Sequence, residues 1–281
     1  MSEPQDGSSG PAPRLGPDRP SWLDPTPTGP PPWLRPEPPA QAEPTPRRLP
    51  EPKLSRQGMV LELGLVLLLA FAPALLSLAL GAATGAADRS TSSITIGEAA
   101  AGMALTVFLS WSPPLVLLYL LRRNGEGLAT IGLTRPTRRD VGAAVLLLVA
   151  GYLIVWALTP IFSRLGSTDV DFLPRNLPLW FLALQALLIA GTAGVAEEVL
   201  VRGYAQTRLE QLGLPGPVIV LAPTALWSLL HVYQGWSAVA IIFGLGLLWA
   251  TYFQRTRRLL PLILAHIMYD LLGLIWILSG R

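Results

Sequence analysis

Gly194-Val195-Ala196-Glu197-Glu198-Val199-Leu200-Val201-Arg202-Gly203 is the stretch on which the reading of this chain turns. Two adjacent carboxylates and an arginine close an apolar run that opens near Leu177. A charged side chain at the centre of a membrane helix costs roughly 2.5–3.5 kcal/mol on insertion scales, so a chain seldom keeps two without a use for them. On a helix, Glu198 and Arg202 stand at i and i+4, on one face. Glu197 points about 100° away around the axis. The plainer alternative is a helix that has reached the membrane boundary, its Glu and Arg entering water.

The sequence on either side of this stretch is that of a membrane protein. Of 281 residues, 51% are hydrophobic and 14% charged, against about 25% charged in soluble domains. Seven apolar segments lie near 59–83, 95–121, 141–163, 178–201, 216–234, 237–254 and 259–278. Each reaches or approaches the ~20 residues that a spanning helix needs. The expected fold is all-α, a polytopic integral membrane protein of about seven transmembrane helices, or eight, over 58–281. Pro113-Pro114 predicts a kink in the second segment, and Pro217 and Pro223 leave the start of the fifth open. The hydrophilic piece 122–140, with five arginines, is expected on the membrane surface.

Residues 1–57 are a different polymer. They hold 17 of the 28 prolines and few large apolar side chains. Such a segment cannot bury enough surface to offset its ordering entropy, and is expected to be a disordered, proline-rich cytoplasmic tail with polyproline II character. It carries one internal echo, Trp22-Leu23-Asp24-Pro25 and Trp33-Leu34-Arg35-Pro36. It lacks the apolar core and cleavage site of a signal peptide.

Cysteine is absent, which excludes disulfides, thiolate nucleophiles and Cys-ligated zinc. The net charge is only +3, and 20 of the 21 basic residues are Arg, clustered between apolar runs. That pattern suits a lipid bilayer as partner and not nucleic acid. With the N-terminus in the cytoplasm, 14 basic residues fall on the inner side and 4 (Arg89, Arg164, Arg175, Arg281) on the outer. By the positive-inside rule this is the expected orientation, in a plasma membrane of bacterial type, with Glu197-Glu198 at the cytoplasmic end of the fourth span.

The two histidines of the chain carry the chemistry further. His231 ends Trp227-Ser228-Leu229-Leu230-His231, and His266 opens His266-Ile267-Met268-Tyr269-Asp270. A lone histidine in a membrane helix is often a satisfied packing residue. Here both sit in apolar spans, and each has a companion one turn away on its own face. Asp270 is placed to orient the imidazole of His266. A glutamate can take a proton from water, and imidazoles can hold the water, an oxyanion or a divalent metal. Neither Gly-x-Ser-x-Gly nor His-Glu-x-x-His is present.

In these three pieces the chain resembles the CPBP (CAAX-protease and bacteriocin-processing, Abi) intramembrane proteases. Their pattern runs Glu-Glu-x-x-x-Arg, Phe-x-x-x-His and His-x-x-x-Asn or Asp on successive membrane helices. It reads here as Glu197-Glu198 with Arg202, Trp227 with His231, and His266 with Asp270. The resemblance covers about 175–278, with Trp227 in place of Phe and Asp270 where many members have Asn. It implies an endopeptidase that acts on a membrane-associated protein or peptide, lipidated or bacteriocin-like. The implied catalytic set is Glu197, Glu198, Arg202, His231, His266 and Asp270, with Glu198 activating water. Family members are described both as metalloproteases and as glutamate proteases. Glu198, His231 and His266 are therefore the candidate ligands of Zn2+ or another divalent ion, and no other cofactor is implied. The cavity is expected to open to the cytoplasm. The rival readings are a non-catalytic binding or immunity protein of the same fold, and a proton or solute transporter.

One expectation fits badly. At ~1.5 Å per residue, Glu198 sits near the cytoplasmic boundary, His266 about 10 Å inside it and His231 about 20 Å deep. The site closes only if helices tilt or the spans differ from the apolar runs.

Overall fold

The computed structural model describes residues 53–84, 94–166 and 176–279. Leu49–Arg281 forms a compact unit of its own. Nearly all of the proline-rich segment, with its two Trp-Leu-x-Pro pieces, lies outside the described residues.

The helices are α1 (Arg56–Thr84), α2 (Ile96–Arg123), α3 (Arg138–Phe162), α4 (Leu179–Glu197), α5 (Gln206–Gln211), α6 (Gly216–Leu229), α7 (Trp236–Thr256) and α8 (Leu260–Ser279). A π-helical segment, Glu198–Ala205, joins α4 to α5, and a short 3-10 turn, Leu230–Gln234, extends α6. Among the described residues, seven helical spans are long and apolar enough to cross a membrane, as expected. Their outer faces stay apolar, with Phe108, Leu146 and Trp156 each at least 70% exposed. Such faces suit lipid, where each helix satisfies its own backbone polar groups.

Local sequence sets several boundaries. Thr95 caps α2, accepting from the Glu98 N–H at 3.2 Å while the Glu98 carboxylate accepts from the Thr95 N–H at 2.9 Å. This reciprocal pair satisfies two donors that helix geometry leaves orphaned. Pro217 opens α6 just inside its start, where no backbone N–H is needed. The helix α2 runs unbroken through Pro113 and Pro114.

The fourth span departs from expectation. The apolar run ends near 201, but the helix continues through the π segment and α5 to Gln211. Those residues read as polar in sequence, yet Arg202, Gln206 and Arg208 are fully buried. Their charges and amides are turned inward among other helices, so the run looks like an exit from the membrane when it is part of the core. α4 packs mainly on α8 and α2, α3 on α7 and α8, and α6 on α7. A Cβ on Gly194 would meet Ile267 Cγ1 at 2.5 Å and the Ile267 backbone nitrogen at 3.0 Å. Only glycine lets α4 and α8 come this close, and that closeness brings Glu198 to His266.

One end of the bundle is closed by ion pairs that join five helices. Glu62 of α1 accepts from Tyr204 at 2.7 Å, from Asn124 at 2.8 Å and from Arg208 at 2.9 Å. Arg208 also grips Glu126 through both terminal nitrogens, at 2.8 and 2.6 Å. Asp140 of α3 takes two bonds from Arg258, each 2.6 Å, which hold that guanidinium above its ordinary pKa. Arg257 bonds Glu210 at 2.8 Å and Thr207 at 2.7 Å. Several arginines that count as inner-side charge in sequence are thus neutralised locally. Exposed cations remain at this end, among them Lys53, Arg56, Arg122, Arg138, Arg139 and Arg255.

Candidate active site

Of the six residues singled out in sequence, Glu197, His231, His266 and Asp270 line one cavity of about 740 Å³, and Glu198 and Arg202 are bonded behind it. Glu198, at the first position of the π segment, has no exposed surface. Its Oε1 accepts from Arg202 Nη1 at 3.0 Å and meets His266 Nδ1 at 2.9 Å. Arg202 is equally buried, and its guanidinium lies over the Trp227 ring, 4.0 Å from the centroid. This i, i+4 pair survives the π geometry. A π segment within an α-helix often marks a functional site.

Glu197 faces elsewhere. It lines the cavity, whereas Glu198 and Arg202 do not. Its Oε2 accepts a hydrogen bond from Trp227 Nε1. The same tryptophan, through its backbone carbonyl, accepts from His231 Nδ1 at 3.0 Å. A carbonyl can only accept, so Nδ1 carries the proton and Nε2 presents its lone pair. Trp227 therefore orients both Glu197 and His231, the first by its indole and the second by its backbone. His231 also stacks on the Tyr233 ring, with centroids 6.2 Å apart.

His266 is held from two sides. Nδ1 meets Glu198, and Nε2 lies 3.6 Å from Asp270 Oδ2. The second separation is an ion-pair distance, too long for a hydrogen bond. The expectation that Asp270 orients His266 is therefore met only electrostatically, and Glu198 is the hydrogen-bonding partner. Trp249, buried completely with its ring 5.0 Å from that of His266, forms the floor.

The candidate metal ligands do not assemble. Among the described residues, no group of three His, Asp or Glu side chains is arranged to hold a metal ion. Of the three proposed, Glu198 is spent on Arg202 and the Nδ1 of His266, and it is absent from the cavity wall that His231 lines. The donor set does not fit a bound divalent ion.

The depth conflict seen in sequence is resolved by the long fourth span. From Glu198 the helix runs 13 further residues to Gln211, or ~20 Å. His231 lies 15 residues from Gly216, or ~22 Å. The two groups stand at the same level. The start of α8 is itself buried, with Leu259 bonded to the Gly132 carbonyl at 3.0 Å, so His266 needs fewer residues to reach that level.

Residues 178–272 match the family described as Rce1-like, type II CAAX prenyl endopeptidase Rce1-like. This segment is similar to that family. The Rce1-like segment begins at the foot of α4 and ends within α8, so it contains every residue of the site, in agreement with the resemblance seen in sequence. Neither a curated protein nor a solved structure matches the chain. The chain is thus a helical membrane protein, and the part of it that holds the site is similar to the CAAX-protease family.

Two contributors to the site, Trp249 and Tyr233, went unnoticed in sequence. Outside it, Glu62 carried one signal, an ionisable residue inside an apolar span. Trp249 and Tyr233 carried none, since tryptophan and tyrosine are ordinary in membrane helices.

Proposed function

We propose that this protein is an intramembrane endopeptidase of the glutamate type, in which Glu197, and not Glu198, activates the attacking water. The observation that carries this reading is the division of the two carboxylates. Glu197 lines the cavity beside His231, while Glu198 is sealed against Arg202 and His266.

In this reading a water sits between the free oxygen of Glu197 and the lone pair of His231 Nε2. Glu197 takes one proton as the water oxygen attacks the peptide carbonyl carbon. His266, its Nδ1 committed to Glu198, turns Nε2 toward the cavity. In the protonated ring this N–H donates to the oxyanion, and Asp270 stands 3.6 Å from the same nitrogen. Collapse of the tetrahedral adduct breaks the C–N bond, and Glu197 returns its proton to the leaving amine. Arg202 neutralises Glu198 and holds Trp227 in place. The substrate is a peptide segment of a membrane-associated protein, and the apolar stretch of the cavity suits a lipid-modified or transmembrane portion of it. No step uses a metal.

The test compares peptide products in membranes containing wild type, Glu197→Gln and Glu198→Gln, each checked for folding by thermal unfolding in detergent. Loss of a general base costs about 10²–10⁴ in rate. Glu197→Gln should lose that factor with an unchanged unfolding temperature. Glu198→Gln should show its defect in stability as well. Full turnover by Glu197→Gln sinks the assignment, and absence of any wild-type-dependent product favours the binding or immunity reading.

A further inference from the structure

The 3-10 turn Leu230–Gln234 carries more than His231. Its last two residues, Tyr233 and Gln234, line the same cavity. The turn follows α6 directly and ends at Gly235, whose φ of 98° glycine adopts without strain. Just beyond, the Ser237 N–H donates to the Gly166 carbonyl at 3.1 Å and fixes the far side of the turn. The Tyr233 ring lies nearly parallel to that of His231, with 24° between their planes and 6.2 Å between centroids.

The hydrogen-bonding capacity of this pair is half used. Gln234 Nε2 donates to Tyr233 Oη at 2.8 Å. The phenol oxygen is the acceptor in that bond, so its own O–H remains able to donate. The amide oxygen of Gln234 remains able to accept, since among the described residues neither group has a further hydrogen-bond partner. Other lining hydroxyls are committed: Thr106 donates to the Gly102 carbonyl at 2.9 Å, and Thr192 accepts from Trp111 at 3.2 Å. Ser110 of α2 also lines the cavity, away from this turn in the sequence. Much of the remaining wall is aliphatic, with Ile189, Ala193, Ile241, Ile242 and Leu245. An extended peptide against such a wall leaves its N–H and C=O groups without partners, each at about the cost of a lost hydrogen bond.

A donor beside an acceptor is the complement of one peptide group. We propose that Tyr233 and Gln234 are substrate-binding residues that hold the backbone of an extended substrate. Tyr233 O–H donates to a peptide carbonyl, and Gln234 Oε1 accepts the N–H of the same segment. Residues of an extended chain advance by at most ~3.6 Å each, so a ring 6.2 Å from that of His231 lies about two residues from the bond under attack. The contact recognises backbone and no particular side chain. The substrate class is therefore an apolar segment that is unwound where it binds, because a helix has already paired those groups internally. This deepens the peptidase reading and rests on it, although the binding itself requires no turnover.

Two probes test the clamp: a dansyl-labelled hexapeptide of alanine and leucine, and its depsipeptide, in which an ester replaces each backbone amide. Energy transfer from tryptophan to dansyl gives the Kd of each in detergent, with the full chain carrying Glu197→Gln so that bound peptide is not cut. One hydrogen bond corresponds to roughly 2–12-fold in affinity. Gln234→Leu should shrink the preference for amide over ester by that factor, because the ester lacks the N–H that Gln234 accepts. Tyr233→Phe should weaken both probes by a similar factor, since the ester keeps a carbonyl. Ser110→Ala should change neither, and each variant should unfold within ~2 °C of its parent. A preference that survives Gln234→Leu, an equal loss in Ser110→Ala, or a parent that does not bind the peptide overturns the proposal. Tyr233→Phe, which keeps the ring, decides alone if Gln234→Leu fails to accumulate, and unchanged affinity there overturns the proposal as well. The expected ratios in a protein that yields no product in membranes would keep the clamp and remove the peptidase reading.

Discussion

Replacing Arg202 by methionine probes the one fully buried ion pair of the site. Arg202 and Glu198 are both without exposed surface, joined at 3.0 Å, and the guanidinium lies 4.0 Å from the Trp227 centroid. Removing one partner of a buried pair leaves the other charge uncompensated, at a cost of about 3–5 kcal/mol. Loss of a desolvated cation–π contact adds about 2 kcal/mol, which the methionine side chain partly offsets by filling the space. One kcal/mol shifts the unfolding temperature of a domain this size by about 2–4 °C, so Arg202→Met should fall by ~6–20 °C. The tryptophans report unfolding in detergent by their fluorescence. The double variant Glu198→Gln/Arg202→Met removes both charges and should unfold above the single Arg202→Met, because no bare carboxylate remains. A single variant within ~2 °C of wild type, or a double variant at the sum of the two single losses, would refute the buried-pair account.

Gly246 is the close-approach point beneath the same cluster. A Cβ there would meet Thr224 at 2.8 Å, Trp227 at 3.0 Å and Arg202 at 3.1 Å, so Gly246→Ala should cost about 1–3 kcal/mol and lower turnover. Gly142→Ala, with open space around it, is the matched control, and equal effects at the two sites would count against the packing argument. Asp270→Asn should reduce turnover by less than ~10-fold, since the carboxylate stands 3.6 Å from His266 and outside hydrogen-bond range. A loss as deep as that of Glu197→Gln would move Asp270 into the chemistry itself. Deletion of residues 1–52 should leave both unfolding temperature and cleavage unchanged, because their composition offers no core. Lost cleavage with an unchanged unfolding temperature would give the tail a part in the reaction.

Glu197 and Glu198 show where sequence reasoning stops. The pair points to a site, because two carboxylates in an apolar frame carry a cost that ordinary packing does not repay, but the same residues would also suit a helix end entering water. Which of them reaches water depends on the neighbours at two azimuths about 100° apart, and those neighbours, Trp227 on one side and His266 on the other, come from distant parts of the chain. Glu62 illustrates the same limit. Its partners Asn124, Tyr204 and Arg208 lie 62 to 146 residues away, and no local pattern announces them.

Hydropathy by itself determined the number, order and approximate bounds of the spanning helices, since burial of ~20 apolar residues in hydrocarbon is a local property of the chain. The spacing of charged and imidazole groups along those helices determined which residues meet at the site. Only tertiary packing decided how far the fourth span continues past Arg202, because a buried arginine and an exposed one read alike until their partners are known. The same packing levelled Glu198 with His231 and closed the basic end with ion pairs. It also left the cavity itself, for a cavity is the space that several helices leave between them and belongs to no one segment of sequence.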